Sequence, residues 1–163
     1  MNLRKLKTAD APFMWEWMHD DFVVHDLRTN FAAKTLADCV SFIKMAQDTK
    51  ESLHLAIVDE NDTYMGTVSL KHITQTSAEF GITVRECAMG KGFSEYAMQH
   101  IVETGFKQLG LQKIYWCVAP ENHRAVSFYD KNKFDRCLAP AEALNCYSAE
   151  EINHYFWYEV ISN

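Results

Sequence analysis

Nowhere in the 163 residues do about eighteen apolar side chains run together, so no membrane-spanning helix is expected. The opening Met-Asn-Leu-Arg-Lys-Leu-Lys has no apolar signal core and passes straight into a strand pattern. The five cysteines, at 39, 87, 117, 137 and 146, are odd in number, and no pair is spaced Cys-x-x-Cys. They read as reduced thiols of a cytoplasmic protein. The seven histidines are scattered, with no His-Glu-x-x-His or other ligand spacing, so no metal is expected. A Gly-x-Ser-x-Gly elbow is missing, which argues against a serine hydrolase. A Walker A loop is missing too, and so is the second half of a dinucleotide fingerprint. Positive charge is in deficit: 16 Lys and Arg stand against 22 Asp and Glu, for a net charge of −6. That argues against general nucleic-acid binding and is compatible with cationic substrates or with plain solubility.

What is present is an ordinary globular composition, 48% hydrophobic and 23% charged. The length suits one domain over residues 1–163 with a full core. Leu3–Leu6 reads as a first strand. Thr8 or Asp10 is placed to cap a helix with Pro12 in its first turn and Phe13, Met14, Trp17 and Met18 as its apolar stripe, ended by Asp20 and Asp21. Phe22–Phe31 has no clear period. Thr35 then caps a second helix carrying Leu36, Val40 and Ile43. Strands are expected at Leu53–Val58, Tyr64–Ile73 and Ala78–Arg85, with a turn at Asp59–Asp62. Gly66 reads as a bulge or close approach, Gly81 as a bulge or splay. Phe93, Ala97, Ile101 and Gly105 form one stripe of a long helix that Gly110 stops. Lys113–Val118 is apolar enough for a sheet centre. A helix over Asn122–Lys131 and strands near Phe134–Leu138 and His154–Ile161 complete the chain, with Pro140–Glu151 a loop or short helix. The order βααβββαβαββ, without repeat or linker, predicts an α+β fold with a mostly antiparallel sheet.

The stretch Thr83–Tyr129 organises this pattern. Its head, Val84-Arg85-Glu86-Cys87-Ala88-Met89-Gly90-Lys91-Gly92-Phe93-Ser94, runs from strand through a glycine turn into a helix. Glycines let successive N–H groups point one way, and a helix start adds free donors and a positive dipole end. Such a turn suits a phosphate or pyrophosphate, although it is also ordinary punctuation.

The element order, Gly90-Lys91-Gly92, and Asn122-His123-Arg124-Ala125 with Phe128, Tyr129 and Phe134 together resemble the GNAT superfamily of acetyl-CoA-dependent N-acetyltransferases. The resemblance covers nearly the whole chain. The family's pyrophosphate loop, Arg/Gln-x-x-Gly-x-Gly/Ala, corresponds to Met89, Gly90, Lys91, Gly92, Phe93 and Ser94. Met89 stands where Arg or Gln is usual, and Ser94 where a small residue is usual. The second motif, Asn-x-x-Ala-x-x-x-Tyr and a later Gly-Phe, falls on Asn122, Ala125, Tyr129 and Phe134, with Lys133 in place of Gly. The resemblance implies acetyl-CoA as cosubstrate and no metal. It implies an N–H of Ile82, Thr83 or Val84 facing the thioester oxygen, and Tyr129 as general acid. The amine must lose a proton before it attacks, and either Glu79 or a chain of waters takes it. On a corresponding position of the next strand some relatives carry a Glu, but here Cys117 stands there.

The family builds its acceptor site from the first two helices and their connection. This places Trp15, Asp20, Asp21 and Arg28 of the segment Trp15–Phe31, together with Glu79, around the amine. Aromatics beside carboxylates suit a sugar or a polar amine. The expectation is a small-molecule amine such as an amino sugar, with neither nucleic acid nor membrane as partner, and a monomer or homodimer. A protein N-terminal acetyltransferase and a non-catalytic acetyl-CoA sensor are the alternatives; the presence of both Glu79 and Tyr129 speaks against the sensor.

Overall fold

The structure, a computed structural model, describes residues 1–163. Seven strands form one sheet: β1 (Asn2–Lys5), β2 (Leu53–Val58), β3 (Tyr64–Lys71), β4 (Ser77–Val84), β5 (Lys113–Val118), β6 (Asp135–Cys137) and β7 (Phe156–Ile161). Their spatial order is β1-β2-β3-β4-β5-β7-β6. Every pairing is antiparallel except β4 with β5. The long helices are α1 (Ala11–Met18), α3 (Leu36–Ala46), α4 (Phe93–Lys107) and α5 (His123–Lys131). Two short ones, α2 (Asp21–Val24) and α6 (Ala149–His154), complete the set. No helix is long and apolar enough to cross a membrane.

The seven strands appear in the expected succession, and the differences lie between them. Helix α1 stops at Met18, and Asp20 does not end it. Its carboxylate instead accepts the Phe22 N–H at 3.1 Å and starts α2 inside a segment that has no period in sequence. Four residues are too few to display one. Asp10 does not cap α1 through its side chain. It accepts from Arg4 at 2.8 Å and from the Lys7 N–H at 2.8 Å, which pins the first strand to α1. Thr35 does cap α3, with Asp38 returning the bond. Gly66 is a close approach, since a Cβ there would lie 2.5 Å from the Thr83 carbonyl; the irregularity itself sits opposite, between Ile57 and Val58. The β3–β4 register runs unbroken past Gly81.

Helix α5 ends with the Phe134 N–H bonded to Tyr129 O at 3.1 Å and the Lys133 N–H bonded to Asp130 O at 3.0 Å. This left-handed terminus puts Lys133 at φ +62°. The backbone therefore keeps the conformation that glycine favours although lysine occupies it.

Strand alternation divides the core into two faces. Ile57, Val68, Phe80, Ile114 and Trp116 pack under α4 and α5. Ala56, Val58 and Tyr64 pack under α1 and α3. On that same side Tyr115 and Trp157 pack under the segment around Ala143, which is separated from α1 and α3 by a cleft. Both faces matter for the site, because the sheet opens between them. Strand β4 pairs with β5 only through Ser77–Glu79, while both strands continue, β4 against β3 and β5 against β7.

Candidate active site

The loop between β4 and α4 is a nest of unused donors. Gly90 and Gly92 sit at φ +74° and +86°, where side chains other than glycine are disfavoured. No side chain caps α4, whose first internal bond runs from Tyr96 N–H to Gly92 O. Within normal hydrogen-bond geometry, none of the backbone N–H groups from Gly90 to Glu95 finds an acceptor in the protein. Six consecutive free donors at a helix start form an anion site of the kind that holds phosphates. Met89 brings no charge to this loop, but Arg124 does: from α5 its Nη1 reaches 2.9 Å from Met89 Sδ.

A cavity of about 830 Å³ begins at this loop and passes through the opening between β4 and β5 to the other face of the sheet. The exposed edge of β4 can be assigned. Arg85 N–H bonds to Met65 O on β3 at 2.8 Å, so by alternation Thr83 also turns its N–H toward β3. Ile82 and Val84 then aim theirs into the opening. Of the three residues Ile82–Val84, only these two present a donor to the cavity.

Tyr129, on α5, stands on the α4 side of the opening. It is buried against Trp116, ring centroids 5.3 Å apart, and against Tyr158 at 5.1 Å. Its hydroxyl has no hydrogen-bond partner in the protein, yet the residue lines the cavity. Burial first, then neighbouring Tyr158 and Cys117, push its phenol above the ordinary tyrosine range, so it stays protonated at neutral pH. Trp116 Nε1 is a second buried donor without an acceptor on the same wall.

On the opposite face Glu79 lies at the last position of β4 that pairs with β5, only 2% exposed. Its Oε2 accepts the Tyr147 hydroxyl at 2.5 Å and its Oε1 lies 3.1 Å from His72 Nδ1. Lys71 Nζ is 3.9 Å from the same Oε1. Burial, then Cys117 and Glu79, push the Tyr147 phenol upward, which keeps it the donor in that bond. Cys117 faces the same cleft, and burial raises its thiol to about 11, leaving it uncharged. Nowhere do three or more His, Cys, Asp or Glu side chains converge in a way that could hold a metal ion.

Residues 1–135 match the family described as Acetyltransferase (GNAT) domain. The chain belongs to the GNAT acetyltransferases. It is 28% identical over 141 residues to a protein of Bacillus licheniformis described as an uncharacterized N-acetyltransferase, covering 83% of this chain and 79% of that one. It is 23% identical over 134 residues to the acetyltransferase PseH of Campylobacter jejuni, covering 82% of each. Among solved structures, the spermidine N-acetyltransferase of Vibrio cholerae in complex with CoA and spermine superposes with a TM-score of 0.79 at 20% identity, over 98% of this chain and 94% of that one. The protein is thus an acetyl-CoA-dependent N-acetyltransferase that acts on amines.

Acetyl-CoA is the cosubstrate of the GNAT enzymes, and the free donors of residues 90–95 fit its pyrophosphate. Of the residues singled out in sequence, Ile82, Thr83, Val84, Met89, Gly90, Gly92, Phe93, Ser94, Asn122 and Tyr129 all line the one cavity. Glu79 and Arg28 line it as well. Asn122 spends its side-chain oxygen on capping α5, accepting the Ala125 N–H at 3.2 Å. Lys91 is exposed and outside the lining. Trp15, Asp20 and Asp21 are outside it too. Trp15 is 43% exposed and stacks on His19. Asp20 lies beside Glu86, whose carboxyl it raises above the usual range. The reason is α2, which turns Asp20 and Asp21 away and leaves the chain from Asp26 to Thr29 to reach the cleft. Asp20→Asn/Asp21→Asn is therefore expected to leave the KM of both substrates within about twofold, as for solvated surface groups. A several-fold rise in the amine KM alone would return these aspartates to the acceptor site.

Sequence reading passed over His54, Lys71, His72, Tyr147 and Arg124. His72 and Tyr147 are 75 positions apart and meet only at Glu79. Tyr147 lies in a segment without periodicity, so no linear signal could have marked it. His72, at φ +51° just past β3, carries only a turn signal.

Proposed function

We propose that the protein transfers the acetyl group of acetyl-CoA to the primary amine of a small molecule in the cytoplasm, an amino sugar being the leading class. The observation that carries this reading is the single cavity that joins the free N–H nest at Gly90–Glu95 to buried Glu79 through the opening between β4 and β5. The nest and Arg124 hold the pyrophosphate, and acetyl-CoA supplies the activated acyl group. Ile82 N–H or Val84 N–H donates to the thioester oxygen as negative charge develops there. The Tyr129 hydroxyl donates to the sulfur as it leaves. Glu79, held by Tyr147 and His72, takes the proton of the amine, directly or through water.

Relatives point to small amines: the Vibrio cholerae proteins act on spermidine by name. A cleft of this size, walled by Arg28, Tyr147 and Tyr155, suits a ligand with a polar body. Five free cysteines agree with a reducing compartment. The reading is tested by release of free CoA thiol with a panel of amino sugars, amino acids, polyamines and N-terminal peptides. Turnover confined to small amines is the expected result. Turnover with peptides alone would make the protein an N-terminal acetyltransferase, and binding of acetyl-CoA without turnover of any amine would make it a sensor.

A further inference from the structure

The acceptor half of the cavity has two banks, and polar contact joins them at one place. On one side the chain from Asp26 to Lys34 runs toward α3; on the other stand Tyr147 and Tyr155, on the segment that carries Ala143 and α6. The apolar clusters under the two banks are separate. Every hydrogen bond and ion pair that links residues 11–46 to residues 135–163 is made by Arg28. Its Nε and Nη2 donate to the two carboxylate oxygens of Glu151, at 2.5 and 3.2 Å, and Nη2 also donates to Cys146 O at 3.0 Å. The guanidinium sits 4.3 Å over the Tyr147 ring, whose hydroxyl donates to Glu79.

The far end of this bridge is built in advance. Ser148 caps α6 and Glu151 returns the bond, its Oε1 accepting the Ser148 N–H at 3.0 Å. Arg28 first, then Ser148, holds the Glu151 carboxyl down at about 2, so both partners are charged at neutral pH. A planar guanidinium that pairs with a carboxylate along one edge and stacks on a ring is fixed in both position and tilt. The side chains of Arg28 and Glu151 nevertheless stay 47% and 27% exposed, and ion pairs this open to solvent are weak enough to open and close. Arg28 lines the cavity while Glu151 lies outside the lining, so the pair spans the rim of the acceptor half.

Resting on the acetyltransferase reading, we propose that Arg28 and Glu151 clasp the two banks together and so set the length of the acceptor. An amine short enough to lie between the clasp and Glu79 is acetylated with the bridge closed. One that must extend outward between the banks has to hold the bridge open throughout turnover. It then forfeits the Arg28 bonds and the ring contact that steadies Tyr147 against Glu79. The clasp therefore discriminates by penalising the long acceptor rather than by adding a contact to the short one.

The test compares kcat/KM, read as release of CoA thiol by the full chain, within pairs of amines that differ in length. Glucosamine is set against its β-1,4-linked dimer, putrescine against spermine, and alanine amide against an alanyl tetrapeptide amide. The wild type is expected to favour the short member of whichever pair it acetylates by about tenfold or more. Arg28→Ala should reduce that preference to about threefold or less by raising the long member. Glu151→Gln should move it the same way while keeping the α6 cap, because glutamine also returns the capping bond. The double variant should go no further than Arg28→Ala, since both changes break one bridge. If Arg28 merely binds the acceptor, Arg28→Ala will lower both members alike and Glu151→Gln will change neither. That result, or a wild type that takes short and long members equally, would overturn the clasp and leave the acetyltransferase reading intact. No thiol release with any amine would remove both.

Discussion

Tyr129→Phe is expected to lower kcat by about 10²–10⁴-fold, the usual loss when a proton donor is removed from a transition state. The substitution deletes one oxygen and nothing else. That oxygen bonds to no protein group, so no buried partner is orphaned and the packing against Trp116 and Tyr158 is retained. Stability should therefore stay within about 0.5 kcal/mol and the KM for acetyl-CoA within about threefold. This combination separates a role in the reaction from a role in the core, because a packing residue would lose stability and a binding residue would lose KM. The measurements are thermal unfolding and single-turnover kinetics with a working acceptor. Unchanged kcat, with chemistry limiting, would remove Tyr129 from the mechanism. The high phenol pKa also means that no loss of activity through Tyr129 ionisation should appear up to about pH 10, where an ordinary tyrosine is half ionised.

Gly92→Asp should abolish the thermal shift produced by acetyl-CoA. In the wild type, ligand at a hundred times its dissociation constant adds about 2.7 kcal/mol, or about 5–10 °C for a chain of this size. A carboxylate at the head of α4 would bond the same free N–H groups that phosphate needs, and would set negative charge against negative charge. Gly92→Asn is the control. Asparagine tolerates the left-handed conformation at φ +86° about as well, and it matches aspartate in shape. A reduced but measurable shift in Gly92→Asn, with none in Gly92→Asp, isolates the charge from the backbone strain. Equal shifts in wild type and both variants would mean that the nest does not carry the pyrophosphate. Both variants should fold, since a Cβ at Gly92 meets only the flexible end of Met1, at 3.6 Å.

Much of this protein is local, and the sequence alone determined it. The stripe Phe93–Ala97–Ile101–Gly105, the Thr35 cap, the turn at Asp59 and the glycine loop each depend on residues a few positions apart, whose backbone preferences and periodicity can be read in order. The Asn122 and Tyr129 positions followed because a helix fixes their spacing. Where Lys133 replaces a customary glycine, the sequence looked like a departure, yet the helix terminus imposes the same left-handed backbone.

The acceptor half was decided by tertiary structure. Asp20 and Asp21 look like site residues in a one-dimensional view, and a four-residue helix turns them outward. Glu79 was visible, but its surroundings were not, because Lys71, His72 and Tyr147 reach it from a neighbouring strand, a turn and a distant aperiodic segment. The opening between β4 and β5 was equally hidden: both strands read as strong strands, and neither sequence records where their pairing stops. Periodicity reports which way a side chain faces relative to its own element. Which charges meet across a cleft depends on how the elements stack, and that depends on the whole core.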